Sequence, residues 1–322
     1  MMEPMLLHPA GKDYLWGGHR LKTEYNKKLN MSPLAETWEC STQPDGLSTV
    51  ASGVYSGKTL AQVLQEHPEY LGENANPEEG LPILVKLIDA NQDLSVQVHP
   101  DDAFAAVHEG QRGKTEMWYV LEAVEGAVLV CGFAHKMTPE KLKQAIQAGD
   151  LTNHMHVVPV HKGDIFFIPP GTVHAIGAGT VIAEVHESSN VTYRVYDYNR
   201  LDKNGQTRPL HFEKAVQVLN MAPGKDVLQN PRKIRYHPGC AREVLCRCEH
   251  FETERIQVSV HCGFSVTQQS FQVLLCIDGK GTLTVGNNPI GLSFRKGDCI
   301  FLPANLGKCH IRGKAELLKV RC

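Results

Sequence analysis

Lys162-Gly163-Asp164-Ile165-Phe166-Phe167-Ile168-Pro169-Pro170-Gly171-Thr172-Val173-His174 carries the main architectural signal of this chain. It opens on a Lys-Gly-Asp turn and runs through β-branched and aromatic residues. It turns again at Pro-Pro-Gly and starts a new strand near His174. Gly171 supplies the backbone freedom that a sharp turn needs. The opening is echoed at Lys296-Gly297-Asp298-Cys299-Ile300-Phe301-Leu302-Pro303. Two β-units on one plan account for the echo. Most of the remaining chain reads as short strands divided by Gly, Pro and Asn turns, the pattern of an all-β barrel or sandwich.

A second strand signal lies upstream, in Leu94-Ser95-Val96-Gln97-Val98-His99-Pro100. Apolar and polar residues alternate, so Ser95, Gln97 and His99 share one face. Glu116 sits where Gly113-Lys114-Thr115-Glu116 runs into Met117-Trp118-Tyr119-Val120-Leu121, as a loop entering a strand. Placed beside the Gln97–His99 strand, it would point inward. Gln97, His99, Glu116 and His174 then offer an amide oxygen, two imidazoles and a carboxylate. That donor set suits Zn²⁺, with Mn²⁺, Co²⁺ or Fe²⁺ as competitors. Read singly, each is an ordinary polar residue; the spacing around Gly171 joins them. A rival pair, His154-Met155-His156, has no acidic partner at useful spacing.

The chain has 322 residues, 42% of them hydrophobic, and a formal net charge of −2. This length suggests two domains. We expect residues 1–235 to form a metal-binding unit with helical segments, and 236–322 a second unit, with a soft boundary around Ala222 to Tyr236. The charge implies no polyanion-binding surface and hence no nucleic-acid partner. The short basic stretch from Arg232 to Arg235 reads as a solvated loop. No apolar run reaches the roughly 18 residues of a membrane span, and the start lacks an export signal, so a cytoplasmic location is expected. Eight of the ten cysteines fall at or after Cys240, without paired Cys-x2-Cys units, and read as free thiols. Four helices are predicted: over Lys58 to Tyr70, Asp101 to Glu109, Thr138 to about Gly149 with Thr138 as N-cap, and Phe212 to Leu219. The second copy has Lys308 where the first has His174 and no Gln-x-His pair before it, so no metal is expected there. Oligomeric state is not readable.

Gly163-x5-Pro169-x-Gly171-x2-His174 resembles the second motif of the cupin superfamily. That resemblance implies a mainly β protein of two cupin-type antiparallel barrels, or jelly rolls, with a few short helices. Taken with Trp16-Gly17-Gly18, Ala35-Glu36-Thr37-Trp38-Glu39, Pro82 to Asp102, Gly113 to Leu121 and Thr192 to Asp197, the chain resembles the type I mannose-6-phosphate isomerases in their short bacterial form. The resemblance implies zinc held by Gln97, His99, Glu116 and His174, and interconversion of mannose 6-phosphate and fructose 6-phosphate. It also associates Arg194 and Lys114 with catalysis, and places Glu184 near the substrate. Ser95 and Lys86 match positions at the substrate, at its phosphate end. Two departures stand out: Gly113 replaces a family histidine, and Ser188-Ser189-Asn190 lacks a family Asp, so neither role transfers.

An aldose–ketose isomerisation through a cis-enediol needs an electrophile for the oxygen and a base for the proton. Zinc supplies the first. Arg194 adds fixed positive charge, since guanidinium does not deprotonate. Glu184, alternating with apolar neighbours, is the first candidate base; Lys114 is the second, if burial or zinc lowers its pKa. Lys86 either reaches the cavity or a sheet edge. Trp16 and Trp38 are wall or core residues, and Glu39 approaches the cavity without an assigned task. Two other readings are a non-catalytic cupin that binds a sugar phosphate and a metal cupin with oxygenase chemistry.

Overall fold

The computed structural model describes residues 2–202, 204–224 and 233–322. Much of the expected boundary, and Arg232 of the basic stretch, lie outside the described residues. The named ladders are antiparallel and form three sheets.

The six-stranded sheet runs in the order Ile165–Ile168, Glu116–Ala123, Thr180–Glu187, Ile83–Ala90, Glu36–Cys40, Ala10–Lys12. The five-stranded sheet runs Tyr193–Tyr196, Val96–Val98, His174–Ile176, Val128–Phe133, Met155–Pro159. Their inner faces pack together through Ile88, Trp118, Val120, Phe166 and Ile182 from the first and Leu129, Cys131 and Ile176 from the second. The other face of the six-stranded sheet is also covered. There Val85, Leu87, Met117, Tyr119, Ala183 and Val185 meet Val273, Leu275, Phe301 and Leu318 of the ten-stranded sheet, with Phe271 just before it. A sheet buried on both sides needs apolar residues at nearly every position. Ile83–Ala90 and Thr180–Glu187 are accordingly buried throughout, and the charges they carry, Lys86, Asp89, Glu184 and Glu187, are buried with them.

The mainly β reading holds. The two expected barrels, or jelly rolls, are not confirmed: none of the three sheets closes on itself, and the faces of the smaller two meet through side chains rather than a continuous ladder. Sheet membership also links distant chain segments. Met5–His8 pairs with Cys299–Leu302, and Thr49–Val50 extends that edge, so two N-terminal strands complete the ten-stranded sheet.

The four predicted helices form as Leu60–Glu66, Asp102–His108, Pro139–Ala148 and Phe212–Val218. Pro139–Ala148 is capped by the Thr138 side chain, which accepts from Lys141 N–H, and ends at Gly149 in a left-handed conformation. The first helix is shorter than predicted, because Pro68 starts a separate 3-10 turn. All ten cysteines are free. Among the described residues no helix is long and apolar enough to cross a membrane.

Candidate active site

Strand register assembles the ligand candidates. His174 lies opposite Gln97 in the five-stranded sheet, and Glu116 lies opposite Ile168 in the six-stranded sheet. The chain leaves one sheet at Ile168, turns through Pro169–Val173 and enters the other at His174. Gly171 has φ +81° in that turn, and a Cβ there would stand 2.8 Å from the Val218 carbonyl oxygen. Its N–H donates to the His99 carbonyl at 2.9 Å, so one turn positions both histidines. The expectation that Glu116 sits beside the Gln97–His99 strand is corrected here. It faces that strand from the opposite sheet, because this crossing carries the chain between layers.

His99 Nδ1 lies 2.8 Å from the Val191 carbonyl and His174 Nδ1 2.9 Å from that of Thr172. A carbonyl only accepts, so both Nδ1 atoms carry the proton and both Nε2 atoms present a lone pair. The two Nε2 atoms stand 3.4 and 3.5 Å from Glu116 oxygens. His99, Glu116 and His174 form a buried triad whose ligand atoms lie within 4.8 Å of one another. Neither Glu116 oxygen has an aligned hydrogen bond. The Gln97 amide nitrogen is 3.4 Å from His174 Nε2; rotation about the last bond brings its oxygen to the same place. The rival histidines do not join. His154 meets His135 at 3.0 Å, and His156 meets the Cys131 carbonyl.

Burial, reinforced by Lys114, pushes the His99 imidazole down to about 3. Burial likewise lowers His174. Both are therefore neutral, the form that coordinates a metal. Burial opposes ionisation of Glu116, yet the Lys114 charge beside it outweighs this and holds the carboxyl well below its usual range. Lys114 Nζ is 2.5 Å from Glu116 and 3.9 Å from Glu184, so it links the triad to the candidate base.

A cavity of about 280 Å³ adjoins the triad. Gln97, Lys114 and Glu184 join the two; Ser95, Lys86 and Arg194 also line it, as do Trp16 and Trp38. Glu184 is buried. Its Oε2 accepts from Trp118 Nε1 at 2.9 Å, and its Oε1 lies 3.5 Å from Lys86 and 3.3 Å from His186. Burial first, then the Glu116 charge, raises its pKa against the pull of Lys114 and Lys86. Burial would lower Lys86, but Glu36, Glu184 and Glu116 outweigh it, raise its pKa and keep it an ammonium. Lys86 also stands over the Trp38 ring at 4.8 Å. It thus reaches the cavity rather than a sheet edge. Glu39 turns the other way and pairs with Lys27 at 2.6 Å.

Arg194 lines the cavity with Nη1 donating to the Pro209 carbonyl at 3.0 Å. It does not share Asp197 by hydrogen bond: Arg208 takes that carboxylate with two bonds of 2.7 Å, and Arg200 with one of 2.6 Å. Sequence reading missed Arg208, together with Tyr14 and Glu36, all three on the cavity wall. Arg208 sits in an irregular loop without periodicity, so nothing local marks its direction. Glu36 has a weak signal, a carboxylate two residues before Trp38, whose Nε1 donates to it at 2.8 Å.

Residues 5–131 match the family described as phosphomannose isomerase type I, catalytic domain, and residues 242–322 match the mannose-6-phosphate isomerase cupin domain. A mannose-6-phosphate isomerase from Streptococcus mutans is 39% identical over 99% of this chain and 98% of its own length. The chain belongs to the type I phosphomannose isomerase family. It is an enzyme of this isomerase family, as the sequence motifs imply. A probable mannose-6-phosphate isomerase from Bacillus subtilis is 36% identical, covering 99% of both chains. The crystal structure of the Bacillus subtilis mannose 6-phosphate isomerase superposes with a TM-score of 0.91 at 33% identity, over 98% of this chain and 99% of that one.

Proposed function

We propose that the chain interconverts mannose 6-phosphate and fructose 6-phosphate through a cis-enediol, using a divalent cation, zinc by first choice. Gln97, His99, Glu116 and His174 would hold it. The observation that carries this reading is the convergence of two outward-turned imidazole Nε2 atoms on a buried carboxylate without aligned hydrogen bonds. Such a donor set, with its histidines fixed through Nδ1, fits a borderline cation and leaves room for a substrate oxygen. When bound, the ion supplies Lewis-acid polarisation of the sugar carbonyl.

The remaining work falls to the chain. Glu184 moves the proton between C1 and C2; its raised pKa suits a group that must both take and return it. Trp118 and Lys86 hold the carboxylate in place. Arg194 keeps positive charge beside the developing enediolate, and Lys114 is the alternative proton carrier. Ser95, Lys86 and Arg208 offer donors to the phosphate. Trp16 and Trp38 wall the sugar and limit water. A phosphorylated sugar does not cross a bilayer unaided, which favours a cytoplasmic site of action.

The test is turnover of mannose 6-phosphate by protein stripped with chelator and reloaded with Zn²⁺. Stripped protein and His174→Ala should both be inactive, and reloading should restore only the former. Glu184→Gln should keep the metal and lose about 10²–10⁴-fold in kcat. Sugar binding without turnover in loaded wild-type protein would favour the sensor reading, and oxygen uptake the oxygenase.

A further inference from the structure

Three side chains outside the cavity meet where the helix Asp102–His108 and the end of the strand Thr180–Glu187 come against the turn carrying His250. Asp102 opens the helix Asp102–His108, Glu187 ends the strand Thr180–Glu187, and His250 lies in the turn between Cys240–Arg247 and Glu252–Val258. One ligand atom from each lies within 4.8 Å of the others. No two of the three are close in sequence, so tertiary packing alone assembles them.

We propose that Asp102, Glu187 and His250 form a second divalent-cation site, of the Zn²⁺ or Mn²⁺ class. The donor set is one imidazole nitrogen and two carboxylates, an N/O combination suited to such ions. Two negative charges balance the ion. The carboxylate of Glu187 is 2% exposed, and its Oε2 faces His250 Nδ1 at 3.1 Å. That oxygen is buried without an aligned hydrogen bond, while Oε1 accepts from Thr115 N–H at 2.8 Å. A buried carboxylate oxygen left in this way is costly unless something cationic completes it. Asp102 keeps its place through Oδ1, which accepts from Gly113 N–H at 2.7 Å. It also borders an open surface cleft with Arg112, which gives an ion a route in. Arg112 itself is engaged by Glu79 at 2.5 Å.

The consequence is mechanical. An ion here ties the C-terminal turn carrying His250 to Glu187, and Glu187 in turn holds the backbone of Thr115, the residue before Glu116. The site shares no residue with the ligand set beside the cavity.

Full-length protein is stripped with chelator, dialysed against Zn²⁺ and analysed for bound zinc by atomic absorption. His250→Ala should lose one equivalent relative to wild type, and Asp102→Asn should weaken that equivalent at least tenfold. His174→Ala should lose a different equivalent, so that His174→Ala/His250→Ala loses both. Zn²⁺ should raise the melting temperature of wild type more than that of His250→Ala. Equal zinc content in wild type and His250→Ala overturns the proposal, as does complete loss of zinc in His174→Ala alone. Because His250 lies outside the cavity, failure here leaves the isomerase reading standing.

Discussion

Replacing Trp118 with phenylalanine separates the proton-carrying role of Glu184 from a general structural one. The indole is buried, stands edge-on to His174 at 5.4 Å and donates through Nε1 to Glu184 Oε2 at 2.9 Å. Phenylalanine keeps an aromatic ring and removes the donor. A hydrogen bond to a charged group contributes about 1.5–3 kcal/mol. The loss falls on the ionised form of Glu184 alone. At about 1.4 kcal/mol per factor of ten, the ionised fraction on the acid side drops about 10- to 150-fold. Burial and Glu116 already raise this carboxyl, and losing a donor to the ionised form raises it further. The acid limb of kcat/KM for mannose 6-phosphate therefore moves to higher pH, while the plateau above it changes little. The assay is the pH profile of kcat/KM for Trp118→Phe and wild type, with plateau activity as the folding control. A uniform loss at every pH, with the acid limb unmoved, would refute Glu184 as the titrating base.

Other perturbations follow from the same geometry. Arg208→Ala should raise KM for the phosphorylated sugar much more than it lowers kcat, and Arg208→Lys should not rescue it, since the two-bond grip of Asp197 requires a planar fork; an unchanged KM would remove Arg208 from the phosphate site. Gly171→Ala should cost about 1–2 kcal/mol for the left-handed backbone, more with its Cβ 2.8 Å from the Val218 carbonyl oxygen. The displaced His174 should weaken zinc binding in a chelator competition, and wild-type affinity would show that the turn does not set the ligand. Lys27→Met leaves Glu39 buried and unpaired where Lys27 now stands 2.6 Å away. Stability by urea unfolding should fall by about 3–5 kcal/mol with KM unchanged in the folded protein; a loss below about 1 kcal/mol would mean the pair is not needed there.

Much of this protein is local information. The strand Ile165–Ile168, its flanking turns and the restart at His174 follow from residue types within a dozen positions, because β-branched residues, Pro-Pro and Gly each restrict or free the backbone on their own. Period-two alternation likewise put Ser95, Gln97 and His99 on one face and Glu184 on the cavity side. The helix cap at Thr138 was equally legible, since a cap is a bond between near neighbours. What alternation cannot say is which sheet a strand joins. Glu116 therefore turned out to face the Gln97–His99 strand from the opposite layer, Met5–His8 crossed into the C-terminal sheet, and the expected barrels stayed open. Arg208 and the meeting of Asp102, Glu187 and His250 were invisible for the same reason, and Glu36 was only weakly marked. Their positions are set by contacts between segments far apart in the chain, where burial and pairing, rather than local backbone preference, select the arrangement.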